Sequence, residues 1–408
     1  MKRLKTIVLF ALAIPLGMFA KVHKTLYVVM DGIPADCIER LQPPVIMDIA
    51  KTGHYSRGYC GGKVGEYSQT ATISAVGYTN LLTGTWMNKH HVLGNSDQKP
   101  DYNYHTLFRI AKEQQRPVTT ALFSSWSDNR KVLIGENRAD NGNFKIDDVY
   151  DGYDLDKKAF PEDTLQQHIF RIDSMVCHQA AGCVRQNAPD LSWVYLWYTD
   201  DAFHLFGNGT YTDRYVMKTD QLLAPVWEAV KYREKNFDEQ WLVVIVTDHG
   251  RTEDGHKHGG QSNRERTVWF ATNQKDVNAE FQPSSLAHVD LLPTICRFMN
   301  FDVPRDDAFE QDGLPFIGVR DIYDLHIMPY DDTVTLTWKS DMPKEKAKIY
   351  IASTNNFKEG KPDTWTELDS VASGKGKYTI NLQAQPKSKF YKFVVATKNN
   401  HLNGWLNR

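Results

Sequence analysis

Four stretches of the chain are apolar at nearly every position: "TLYVVM" (25–30), "TTALFSS" (119–125), "LSWVYLWYT" (191–199) and "WLVVIVT" (241–247). Strands covered on both faces, as in a parallel sheet, read this way. Between them the apolar positions fall three and four apart, predicting helices over 43–53, 103–114 and 221–235, the first opened by proline and closed by glycine. Strands alternating with helices predict a doubly wound α/β domain with a mostly parallel sheet. From about residue 325 the texture changes to short β-branched and aromatic runs between polar turns: "VTLTW" (334–338), "AKIYIAS" (347–353), "KYTINL" (377–382) and "KFYKFVVAT" (389–397). Those predict a small all-β sandwich. The expected division is an α/β domain over 21–324 and a sandwich over 325–408.

At 408 residues the chain suits two cores, which agrees with that division. With 48 basic and 50 acidic residues the net charge is −2, so nothing draws the molecule toward duplex nucleic acid or an anionic membrane in general. The first twenty residues place early cations before an apolar run ending at Ala20. This reads as a signal peptide, 1–20, and predicts a secreted or periplasmic protein without a membrane span; an anchor is the competing reading of a run that is short for a bilayer. Five cysteines leave at least one unpaired, and in an oxidising compartment Cys177 and Cys183 are the candidate pair, against simple packed thiols. Oligomeric state is not legible.

The three clearest strands each end in acid. Asp31 follows the first, Asp200 and Asp201 follow "LSWVYLWYT", and Asp248 with His249 follows "WLVVIVT". One such residue alone is usually a turn former or helix cap. Three at the carboxyl edge of one sheet repel each other and persist only beside cations. Histidines stand at matching places: His204 four after Asp200, His249 beside Asp248, and His256 and His258 in a glycine-bracketed loop. Mixed Asp and His donors suit two divalent ions, zinc first and manganese, iron or cobalt as alternatives. The hydroxyl-rich run 68–86 adds Ser74 near the start of a helix, either a nucleophile or a plain cap, with Thr72 as its substitute.

Taken in order, "VVMDG" (28–32), "SAVGYTNLLTG" (74–84), "HHVLGN" (90–95), "TDDAFHLFG" (199–207), "TDHG" (247–250), "HGG" (258–260) and "HVDLLPTICRFMN" (288–300) resemble the alkaline phosphatase superfamily. Within it the pattern looks most like the type I phosphodiesterase/nucleotide pyrophosphatase branch and the phosphate-irrepressible bacterial alkaline phosphatases, over about residues 24–303. The later segment is similar to a fibronectin type III module. The resemblance implies Ser74 as nucleophile and as a metal ligand, with Asp31, Asp248 and His249 on the same ion. It implies Asp200, His204 and a later histidine on the second ion, "HGG" favouring His258 over His256, and Asn95 as donor to a phosphoryl oxygen. In-line attack by Ser74 would give a phosphoserine that water then hydrolyses.

The pattern also departs from its relatives. The phosphodiesterase branch usually has threonine at the Ser74 position, which leaves the subfamily open. Sulfatases need proline and arginine where Val76 and Tyr78 stand, so that activity is disfavoured. A small-molecule phosphodiester or pyrophosphate, nucleotide or lipid-derived, is the favoured substrate; a phosphate monoester is the alternative. Arg130 and Lys131 offer cations for a monoester's extra charge or simply line a solvated loop. Trp126, Tyr198 and Phe203 stack a nucleoside, line a lipid pocket or belong to the core. A catalytically inactive surface binding protein, and less so a phosphomutase, complete the alternatives.

Overall fold

The computed structural model describes residues 21–96 and 98–408; the expected signal peptide, 1–20, lies outside the described residues. Seven strands build the first sheet: β1 (Val22–Met30), β2 (His54–Tyr59), β3 (Thr120–Ser124), β4 (Asp148–Tyr150), β5 (Leu191–Leu196), β6 (Glu239–Val246) and β7 (Thr267–Thr272). Their order is β2-β7-β6-β1-β5-β3-β4, parallel except for β7, which runs against both of its neighbours. The order doubles back at β1, so this is the doubly wound sheet expected from the alternating pattern. Two apolar layers cover it. One includes Trp193, Leu242 and the helices Ser74–Thr83 and Leu291–Met299; the other includes Val28, Trp241 and the long helices Gln167–Gln186 and Thr210–Asn236.

Local structure departs from the sequence pattern in informative places. The run 191–199 changes from strand to helix after Leu196, and the helix Tyr198–Phe206 begins there. Its aromatic start carries the same apolar signal as a strand. The helix expected over 103–114 is the shorter Leu107–Lys112, opened by the Thr106 side chain, which accepts from the Arg109 amide. The helix expected over 221–235 begins eleven residues earlier, at Thr210, and carries Pro225 inside it. All five cysteines are free thiols, so the expected Cys177–Cys183 bridge is corrected. Both sit on the helix Gln167–Gln186; six residues there separate them by about 9 Å along the axis and turn them to different faces, beyond disulfide reach.

The C-terminal part holds two antiparallel sheets. Strands β8 (Ile322–Tyr330), β9 (Thr333–Ser340) and β12 (Lys377–Asn381) form one in the order β12-β9-β8. The other joins β10 (Lys346–Ala352), β11 (Thr366–Ala372), β13 (Phe390–Ala396) and β14 (His401–Asn407) in the order β11-β10-β13-β14. Alternate residues from both, among them Val334, Leu336, Ile349, Phe393 and Val395, close one apolar core. Among the described residues no helix is long and apolar enough to cross a membrane.

Candidate metal centre

Strand β1 lies between β6 and β5, so the carboxyl ends of these three strands adjoin. Asp31 is the residue after β1; Asp248 and His249 follow β6 by two and three residues. After β5 the helix Tyr198–Phe206 puts Asp200 in its first turn and His204 one turn on, with His204 Nε2 3.3 Å from Asp200 Oδ2. Ser74 opens the helix Ser74–Thr83, and its Oγ stands 3.2 Å from His249 Nε2. That nitrogen is also 3.2 Å from Asp248 Oδ2, 3.6 Å from Asp31 Oδ1 and 3.9 Å from Asp200 Oδ1. Glycine makes the approach possible: a Cβ on Gly32, itself at φ +66°, would run into Arg251 and Asp200, and one on Gly77 would meet the Asp248 backbone.

The imidazoles are aimed by their other nitrogens. His249 Nδ1 lies 3.0 Å from the carbonyl of Gly250, and His258 Nδ1 3.0 Å from that of Thr72, so both Nε2 atoms turn inward. His258 Nε2 is 3.1 Å from His204 Nε2 and 3.7 Å from Asp200 Oδ1. His256 faces away, its Nδ1 3.1 Å from the carbonyl of His204. The Thr72 hydroxyl is committed, donating to the Gly260 carbonyl at 2.9 Å and accepting from the Gly259 amide at 3.0 Å. Asn95 accepts from the Ala75 amide at 2.9 Å through Oδ1, which leaves its amide nitrogen free of partners among the described residues.

Two sets of three donors lie within 4.8 Å of one another: Asp31, Asp248 and His249, and Asp200, His249 and His258. Asp31 Oδ1 and Asp248 Oδ2 are buried without any hydrogen-bond partner. Burial and the neighbouring carboxylate charge push Asp31 well above the usual carboxylate range, and burial first, then Asp200, pushes Asp248 up to about 7. Asp200 is different: burial works against its charge, but the Arg251 guanidinium and the His204 hydrogen bond outweigh that and hold it well below the usual range. Burial lowers His249 and, less, His258, keeping both neutral. Orphaned carboxylate oxygens beside neutral imidazoles are what a divalent cation satisfies, so these residues fit the ions expected.

A family model described as type I phosphodiesterase / nucleotide pyrophosphatase matches residues 25–259, which include every residue of this centre. The chain belongs to that family. No curated protein matches the chain. Among solved structures, a protein of Bacteroides thetaiotaomicron VPI-5482 assigned as a sulfatase is 13% identical with a TM-score of 0.52, covering 89% of this chain and 86% of its own. An alkaline phosphatase superfamily protein from Vibrio parahaemolyticus is 12% identical over 78% of this chain and 77% of its own, with a TM-score of 0.44. Murine ectonucleotide pyrophosphatase / phosphodiesterase 5 is 11% identical over 69% and 96%, also with a TM-score of 0.44. At 13% identity the likeness to the Bacteroides protein speaks for a shared fold alone.

Within this phosphodiesterase-family site, three residues escaped the sequence reading. Tyr78 and Tyr195 both donate to Asp31 Oδ2, Tyr195 at 2.7 Å, and so turn Oδ1 into the centre. Tyr78 was findable, one helical turn after Ser74; Tyr195 meets it only because β5 and the helix pack together. Arg251 is fully buried against Asp200, and only its place directly after "DHG" hinted at it. Arg130 is held by Asp151 and Glu136, each at 2.7 Å, so it is no loose solvent cation. Tyr198 and Phe203 are core residues; Trp126 stacks edge-on against Tyr78.

Proposed function

We propose that the protein is an exported two-metal phosphodiesterase or pyrophosphatase acting through Ser74. What carries this reading is the convergence of Ser74 Oγ, Asp31, Asp200, Asp248, His249 and His258, with His204 beside Asp200 and His258, on a centre where two buried carboxylate oxygens have no hydrogen-bond partner. Asp31, Ser74, Asp248 and His249 would hold one ion; Asp200, His204 and His258 would hold the other. The ions, zinc by donor set with manganese as second choice, supply when bound the Lewis acidity that acidifies the serine hydroxyl and neutralises phosphoryl oxygens.

The chain's own groups do the rest. Ser74 Oγ, at the positive end of the helix Ser74–Thr83, forms a bond to phosphorus as the bond to the leaving alcohol or phosphate breaks in line. The amide nitrogen of Asn95, oriented by its bond from Ala75, donates to an equatorial oxygen. Water arriving from the leaving-group side then breaks the Oγ–P bond and restores the hydroxyl. Arg130, the cation that a monoester's extra charge would call for, is already neutralised, which favours diesters and pyrophosphates such as nucleotides or lipid headgroup esters. The cation-led apolar segment 1–20 supports export to the periplasm or medium.

Release of nitrophenol from bis- and mono-nitrophenyl phosphate, with zinc or manganese, tests the reading. We expect the diester to turn over faster. Ser74→Ala should lower turnover about a thousandfold or more with metal content nearly intact. Unchanged activity would move the nucleophile elsewhere. A faster monoester would favour a phosphate monoesterase, and silence with both metals a surface binding protein.

A further inference from the structure

Arg251 lies three residues after Asp248 and is fully buried. Its Nε donates to the Gly32 carbonyl at 2.9 Å; its Nη2 donates to the Asp200 carbonyl at 3.1 Å and pairs closely with Asp200 Oδ1. One guanidinium thus ties together the segment after β1, the segment after β6 and the helix that carries Asp200 and His204. Burial keeps its charge poorly screened by salt.

That contact makes the two halves of the centre chemically unequal. On the Asp31 and Asp248 side, the hydrogen bonds come from phenols and a backbone amide: Tyr78 and Tyr195 on Asp31, Gly32 on Asp248. Each carboxylate keeps one oxygen without a partner. On the Asp200 side, Oδ1 is taken by Arg251, and Oδ2, beside His204, is the oxygen left. Arg251 bonds a ligand of the Asp200 pocket directly and touches none of Asp31, Asp248, His249 and Ser74, so its charge opposes a divalent cation at the Asp200 pocket more than at the other, the interaction falling with distance.

Resting on the two-ion reading above, we propose that Arg251 grades the centre as a positioning residue: it commits one oxygen of Asp200 and sets a positive charge beside the Asp200, His204 and His258 pocket, so that this pocket takes the second divalent ion weakly while the Asp31, Asp248, His249 and Ser74 pocket takes the first one tightly. The second ion then exchanges at ambient metal concentration, and activity follows its supply.

Cobalt(II) titration of the metal-depleted full-length protein, followed by visible absorption and calorimetry, tests this without relying on turnover. The wild type should bind two ions in steps separated by about tenfold or more in Kd. Arg251→Gln keeps an amide donor for Asp200 and drops the charge; it should tighten the second step about tenfold and leave the first in place. Arg251→Lys, which restores the charge, should restore the separation. His204→Ala should remove the weaker step alone. Two wild-type steps of equal affinity would overturn the proposal, as would an Arg251→Gln protein whose second step weakens or stays where it was. If Arg251→Gln does not fold, the wild-type curve and His204→Ala still decide. Binding of no cobalt, or of a single ion, would instead remove the two-ion reading itself, and the grading with it.

Discussion

His256 and His258 stand two residues apart in one loop and meet different atoms of His204. His258 presents Nε2 to Asp200 and His204, while His256 leans on the His204 carbonyl. His258→Ala should therefore lower kcat/KM about a hundredfold or more, and His256→Ala less than about tenfold. Diester kinetics on the two purified variants check the ranking, and the opposite order would hand the ligand role to His256. The acids at the strand ends were legible because a buried run followed at once by a charge is a local pattern. Arg251 was not, since a cation in a loop normally reads as solvated and only the packed fold shows it sealed against Asp200. The Cys177–Cys183 expectation failed for a related reason: closeness in sequence says nothing about which faces of a helix two thiols occupy.

Carboxylates from the long helices hold the starts of neighbouring elements. Asp173, on the helix Gln167–Gln186, accepts from the amides of Trp197 and Tyr198 at 2.9 Å and so fixes the start of the helix bearing Asp200 and His204. Asp220, on the helix Thr210–Asn236, accepts from Val45 and Ile46 at the start of the helix Pro44–Thr52. None of this was legible, because such caps come from elsewhere in the chain. The helix Gln167–Gln186 itself escaped notice; Gln166 at its cap position is in the left-handed region at φ 53°, and the carboxylate that accepts its first amides is Asp163, upstream. Burial raises the Asp220 carboxyl from 3.8 to about 6. The folded state then holds the extra proton between those values, so this group's contribution to stability falls as pH climbs through the window and is fully spent above it. Asp220→Asn removes the titration. The stability advantage of wild type over Asp220→Asn should therefore shrink by about 2 kcal/mol between pH 4 and pH 6. Urea unfolding of both proteins across that range measures it, and a constant difference would show that Asp220 does not change its protonation in that window.

The α/β part and the C-terminal antiparallel sheets meet across a buried, charged seam that the strand pattern gave no sign of. Lys89, in the short helix Met87–His90 that precedes Asn95, donates to Asp312 at 2.6 Å and to the β14 residue Asn403 at 2.9 Å. Lys392, on β13, is 1% exposed and pairs with Glu310 of the α/β domain at 2.5 Å and with Asp363 at 2.8 Å. The Trp405 ring neighbours both ammonium groups, 5.1 Å from Lys89 and 5.2 Å from Lys392. Sequence reading located the sandwich because its alternating strands need only their own residues to be recognised. It missed the seam because ion pairs between positions 82 and 29 residues apart leave no local trace. Lys392 is the shared donor to Glu310 Oε1 and Asp363 Oδ2 in a pocket sealed from water, so its removal takes that partner from both acids and leaves Lys89 acting on Glu310. Lys392→Ala should then destabilise the protein by about 3–5 kcal/mol, whereas exchanging an exposed lysine such as Lys346 should cost under about 0.5 kcal/mol. Denaturant titration of the full chain reads both. A loss below about 1 kcal/mol would place the Lys392 pair in contact with water.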